Sequence, residues 1–156
     1  MITVTRIDER LIHGQVAYAW TVAYRSDAIM VIDDECAKDD LQKMSLELAC
    51  PSSLKCFVVG KEKAIELLNK YSKRKIFVVV KHPKYLLYLV ENGIDLKSIN
   101  VGGLYYKEDR KQISKTVFLD NELIEEFHKL HNHGVELEIR ATPSDKPGNL
   151  ISMLQK

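Results

Sequence analysis

The chain has 156 residues, 46% of them hydrophobic, which suits one compact domain with a substantial core. Basic and acidic residues nearly balance, 23 against 22, and a net charge of +1 excludes the dense positive field on which electrostatic nucleic-acid binding depends. There is no apolar run of bilayer length and no basic-then-apolar leader, and three cysteines without CxxC spacing (Cys36, Cys50, Cys56) make no disulfide framework; a soluble, cytoplasmic protein with reduced thiols is expected.

Ile2-Thr3-Val4-Thr5 alternates apolar and polar side chains, predicting a strand over 2–7 with one buried face. Val16, Ala19, Trp20 and Ala23 then recur at three- and four-residue intervals, predicting a helix that begins near Gly14. Strands follow over 28–32, 54–59 and 76–80, as continuous runs of mostly branched residues of the kind buried on both faces in a parallel sheet. The helices between them are expected over 37–49 and 61–71, with another over 83–92 that starts on Pro83 and stops before Gly93. A strand over 98–101 leads into Val101-Gly102-Gly103-Leu104, read as a turn, and a strand over 116–119 precedes a helix over 121–133 capped by Asp120 and ended by Gly134. The last strand covers 135–139; a turn-rich connection over 142–148 precedes a short amphipathic segment over 149–154.

This alternation of strands and helices predicts a three-layer α/β/α domain on a mixed, mainly parallel open sheet of about seven strands, with antiparallel pairing expected in the 98–119 region. We expect one domain over 1–156, the terminal helical segment being an appendage of it.

Arg6-Ile7-Asp8-Glu9-Arg10-Leu11-Ile12-His13-Gly14-Gln15 sets a lone histidine against two arginines where strand gives way to helix. A helix N-terminus presents unpaired N–H groups and the positive end of the macrodipole, so an anion is at home there. Gly14 permits close backbone approach, Arg10 offers a planar fork of donors, and imidazole is a nucleophile able to carry a phosphoryl group. The commonplace alternative is a surface histidine beside solvated ion pairs.

Other constellations carry less. Asp33-Asp34-Glu35 follows the second strand, near His13 if strands one and two are neighbours, but no second strand-end aspartate is present for receiver chemistry, so helix N-terminal charge is the reading. His128, His131 and His133 do not share one helix face and gain no further ligand; they read as basic charge at a helix C-terminus, and no metal is expected. There is no GxGxxG or GxxxxGK[ST].

The stretch Arg6 to Val16 resembles the active-site signature of the IIB subunit of the bacterial sugar phosphotransferase system (PTS), mannose/fructose/sorbose family, and Ser98-Ile99-Asn100-Val101-Gly102-Gly103 and Leu130 to Arg140 agree with it. The resemblance implies that His13 is the phosphohistidine, carrying phosphate on Nδ1, and that Arg10 stabilises the phosphoryl group with Gly14 and Gln15, supported by Arg6 and Asp8. It implies a phosphohistidine on a IIA protein or domain as donor, a sugar carried by membrane IIC and IID subunits as acceptor, no cofactor, and contact with the membrane only through these partners. Glu9 stands where the family often has aspartate. From the residues alone, a non-covalent phosphate- or nucleotide-binding regulatory module remains the alternative. Leu11 and Ile12 are bulky for a loop, and one of them is expected to be exposed as partner surface.

Overall fold

A computed structural model describes residues 1–155. In chain order the elements are β1 (Ile2–Asp8), α1 (Gly14–Ala23), β2 (Ala28–Ile32), α2 (Asp34–Lys38), α3 (Asp40–Ala49), β3 (Lys55–Val59), α4 (Lys61–Lys70), β4 (Ile76–Val80), α5 (Pro83–Glu91), β5 (Ser98–Gly103), β6 (Lys111–Ser114), β7 (Val117–Leu119), α6 (Asn121–Asn132), β8 (Glu136–Ile139), β9 (Gly148–Asn149) and α7 (Leu150–Leu154). Seven strands form one sheet in the order β3-β2-β4-β1-β5-β8-β9, parallel except for β9.

Every residue of β2 and β4 is buried, as their unbroken apolar runs predict. Alternate side chains feed two cores. Ala28, Met30 and Ile32 of β2 face the layer of α4, α5 and α6, whereas Ile29 and Val31 face α1 and α2. α6 shows how locally consistent the helices are: Asp120 accepts from Leu123 N at 2.8 Å, and Leu123, Phe127 and Leu130 form its buried stripe. The terminal α7 docks by Leu150, which is fully buried.

Four expectations need correcting. The helix foreseen over 37–49 is two helices, because Asp39 leaves helical geometry to cap α3 through Leu41 N and Gln42 N, while Asp33 caps α2 through Cys36 N. The run 116–119 does not join the main sheet; its strand β7 pairs antiparallel with β6 in a separate two-stranded ribbon. The seventh strand is instead β9, at the end of the stretch read as a turn, paired antiparallel with β8. Finally, β4 lies between β1 and β2, so the Asp33-Asp34-Glu35 loop is not on the strand next to His13. Asp34 there accepts from Lys61 N and Nζ at 2.8 and 2.9 Å, tying α2 to α4.

Candidate active site at the β1–α1 junction

β1 runs through the centre of the sheet, so its carboxyl end delivers Asp8 to the edge where ligands of open α/β sheets bind. The next five residues turn sharply. Leu11 has φ 56, inside the left-handed region that costs a non-glycine residue energy, and Gly14 opens α1 at φ 47. Leu11 is held there by packing: its side chain is 5% exposed and that of Ile12 is 4%, both in the core beneath α1. Neither forms a partner surface, contrary to expectation, because the left-handed turn at Leu11 aims both side chains inward.

His13 then falls at the N-cap of α1 in extended conformation and makes no capping hydrogen bond, leaving the first-turn amides of Gly14 and Gln15 without a side-chain partner. Among the described residues its ring is engaged on one side only. Nε2 lies 3.1 Å from Asp8 Oδ2, and the imidazole keeps 16% exposure. A carboxylate on Nε2 fixes that nitrogen as the protonated one and directs the Nδ1 lone pair elsewhere.

Asp8 is 0% exposed, and four donors converge on it. Oδ1 accepts from Arg10 N at 2.9 Å and Tyr105 Oη at 3.2 Å; Oδ2 accepts from Arg6 Nη2 and faces His13 Nε2, both at 3.1 Å. Arg6, itself 4% exposed, also donates through Nη1 to Asn100 Oδ1 at 2.6 Å and Arg140 O at 3.3 Å. Burial pushes its guanidinium down from the ordinary value against the pull of Asp8. The register explains the row: Arg6 pairs with Asn100, and Asn100 with Glu138, across three adjacent strands. Glu138 accepts from Asn100 and from Arg140, whose guanidinium also donates to Tyr24 Oη at 2.7 Å. Both guanidiniums lie against the buried Trp20, their central carbons 5.0 and 5.1 Å from its ring centroid.

Of the predicted residues, Arg6, Asp8 and His13 are therefore in direct contact. Arg10 touches the group through its backbone only, and its side chain lies exposed at the rim. Gln15 is exposed on the first turn of α1. Tyr105, Glu9, Arg110, Asn100, Glu138, Arg140 and Trp20 complete the setting without having been singled out for it. Beyond the family stretches that contain Glu9, Asn100, Glu138 and Arg140, the one local signal was Gly102-Gly103. These glycines belong to β5 and are not a turn; a Cβ on Gly102 would collide with the Arg6 guanidinium, and one on Gly103 with the Tyr105 ring and, at 2.9 Å, Asp8 Oδ1. They are slots through which donors reach Asp8.

A cleft of about 590 Å³ opens at the other end of the sheet, between Met1–Thr5 and Ile94–Ser98, and includes none of these residues. That cleft offers no set of charged donors comparable to the one converging on Asp8.

A family model for the sorbose subfamily IIB component of the PTS matches residues 2–156. The chain belongs to that family. It is a phosphocarrier of sugar transport, a protein-phosphohistidine:sugar phosphotransferase of the sorbose/mannose type. It is 36% identical to the sorbose-specific EIIB component of Lacticaseibacillus casei, over 100% of this chain and 96% of that protein. It is 35% identical to the mannose-specific EIIAB component of Escherichia coli strain K12, again over its whole length but over 49% of that larger protein. The crystal structure of the IIB domain of the Klebsiella pneumoniae sorbose permease superposes with a TM-score of 0.95 at 32% identity, covering 99% of this chain and 96% of that one. A IIB component implies a IIA donor and IIC and IID partners. Among the described residues no helix is long and apolar enough to cross a membrane.

Proposed function

We propose that His13 is the residue that carries the phosphoryl group, on Nδ1. The observation behind this reading is the contact of its Nε2 with the buried Asp8, which leaves Nδ1 as the free nucleophile. In the receiving step the Nδ1 lone pair forms a bond to phosphorus while the N–P bond of the IIA phosphohistidine breaks and its electron pair returns to the donor imidazole. The Nε2 proton stays on His13, and Asp8 offsets the positive charge the ring acquires. In the donating step a sugar hydroxyl oxygen attacks the same phosphorus, the N–P pair returns to Nδ1, and the hydroxyl proton is released.

Arg10, free at the rim, swings onto the phosphoryl oxygens, and the unfilled amides of Gly14 and Gln15 accept the same charge. Arg6 serves differently: buried and committed to Asp8, Asn100 and the Arg140 carbonyl, it holds the carboxylate and does not reach for phosphate. The relay runs on the cytoplasmic side, with IIC and IID presenting the sugar and this chain reaching the membrane only through them.

Phosphoramidate, a small-molecule phosphoryl donor, tests the assignment. Wild-type protein should gain an acid-labile, alkali-stable phosphoryl group that membranes bearing IIC and IID drain when their sugar is added. His13→Gln should fold normally and gain none, since an amide cannot form the phosphoramidate bond. Label surviving in His13→Gln, on His82 or the 128–133 histidines, contradicts the proposal.

A further inference from the structure

Asp8 decides how the His13 ring behaves, and Tyr105 is the one donor on Asp8 that comes from neither β1 nor the loop following it. Its placement is built from several sides. Gly103 has no side chain, which opens the slot through which the phenol reaches Oδ1. The Tyr105 backbone is gripped at both polar atoms: its N–H donates to Glu9 Oε1 at 2.8 Å, and its carbonyl accepts from Arg110 Nη1 at 2.8 Å. Glu9 and Arg110 close the clamp on each other through two hydrogen bonds of 2.9 and 3.0 Å, with the Arg110 side chain 5% exposed. Glu9 adjoins Asp8 in sequence, so the clamp ties Tyr105 to the carboxylate its hydroxyl touches.

We propose that Tyr105 is a positioning residue for phosphoryl transfer: by donating to Asp8 Oδ1 it draws carboxylate charge away from His13 Nε2 and keeps the phosphohistidine ready to be given up. This rests on His13 being the carrier. The chemistry follows from the imidazole. The stronger the acceptor on Nε2–H, the more electron-rich the ring, the firmer its N–P bond and the worse it is as a leaving group. A carboxylate shared among four donors is a weaker acceptor than one shared among three. Tyr105 therefore tunes the carrier towards donation. Arg6, Arg10 N–H and His13 are the other groups facing Asp8, and none of them is hydrogen-bonded to the phenol oxygen, so its removal takes away a contact of Asp8 and none of theirs.

Tyr105→Phe deletes that oxygen and keeps the ring and the clamped backbone. The protein is charged with phosphoramidate, whose N–P bond breaks with release of ammonia as the bond to His13 forms, and is then equilibrated with free imidazole as reference acceptor. Phosphorus NMR reads the partition between phosphoprotein and phosphoimidazole. Tyr105→Phe should shift it towards the protein by roughly threefold to tenfold, part of the worth of a hydrogen bond to a charged group, and should lengthen the phosphohistidine half-life in step. In an Asp8→Asn background, with the carboxylate gone, the same substitution should change the partition little. A partition equal to wild type, or a shift towards imidazole, overturns the proposal. Loss of forward and reverse rates by the same factor does so too, being what a merely structural role gives. Failure of wild-type protein to take phosphate on His13 is the distinct result that overturns the carrier reading itself.

Discussion

Asp8→Asn probes the site where its charges are most tightly committed. Four donors converge on a carboxylate with no solvent exposure, and asparagine can face only two of them with its oxygen. Whichever way the amide turns, its NH2 confronts either Arg6 and His13 or Arg10 N–H and Tyr105. Asp8 is also the ion-pair partner of Arg6, whose side chain is 4% exposed, so the substitution leaves a buried cation uncompensated. Breaking such a pair from one side costs about 3–5 kcal/mol, far beyond a surface ion pair. With a urea slope near 2 kcal/mol per molar, the unfolding midpoint should fall by roughly 2 M. Fluorescence of Trp20, the single tryptophan, reports the transition from inside the same cluster. Adding Arg6→Met to Asp8→Asn should cost much less than the sum of the two single losses, because the stranded charge is then gone. A loss below about 1 kcal/mol, or strict additivity, would refute the view that Asp8 and Arg6 form one buried unit.

Arg10→Ala should slow phosphoryl transfer by about tenfold to a thousandfold with the unfolding midpoint unchanged, and Arg10→Lys should recover only part; wild-type rates in both would make Arg10 a bystander. Leu11→Ala and Ile12→Ala should each cost about 2–5 kcal/mol by urea unfolding, as buried side chains do, whereas near-normal stability with weakened donor-dependent transfer would restore the partner-surface reading. Burial works to raise the Glu9 carboxyl, but the Arg110 and Tyr105 hydrogen bonds and the Arg110 and Lys107 charges outweigh it and hold it below its ordinary value of 4.5. Its contribution to stability is therefore complete above about pH 4.5 and lost as pH falls through the depressed value, so wild type should lose more stability than Glu9→Gln across that acid range in pH-resolved unfolding.

The β1–α1 junction was legible because its signals are local, with the chemistry-bearing residues on consecutive positions, but its faces were not: Thr5 to Asp8 are all buried in the central strand, and α1 buries Ala17, Trp20 and Thr21 while Ala19 and Ala23 of the foreseen stripe are exposed. The parallel sheet was legible in the runs that became β2 and β4, since burial on both faces leaves no polar alternation. What surrounds His13 was not. Asn100, Tyr105, Glu138 and Arg140 reach the site through strand register, and Tyr105 meets Asp8 across 97 residues of sequence. Gly102 and Gly103 announced a special backbone, but whether a glycine makes a turn or clears space for another side chain is decided by what packs on it. Leu11 and Ile12 misled for the same reason, because a left-handed leucine turned inward by packing looks in sequence like an exposed apolar loop residue.

One measurement bears most directly on the central claim, that the Asp8 contact on Nε2 reserves Nδ1 of His13 for phosphate. Protein labelled with nitrogen-15 in its histidines, charged with phosphoramidate, should show phosphorus–nitrogen coupling at Nδ1 of His13 and a retained proton on Nε2. Coupling at Nε2 of His13, or at any other histidine, would contradict the account.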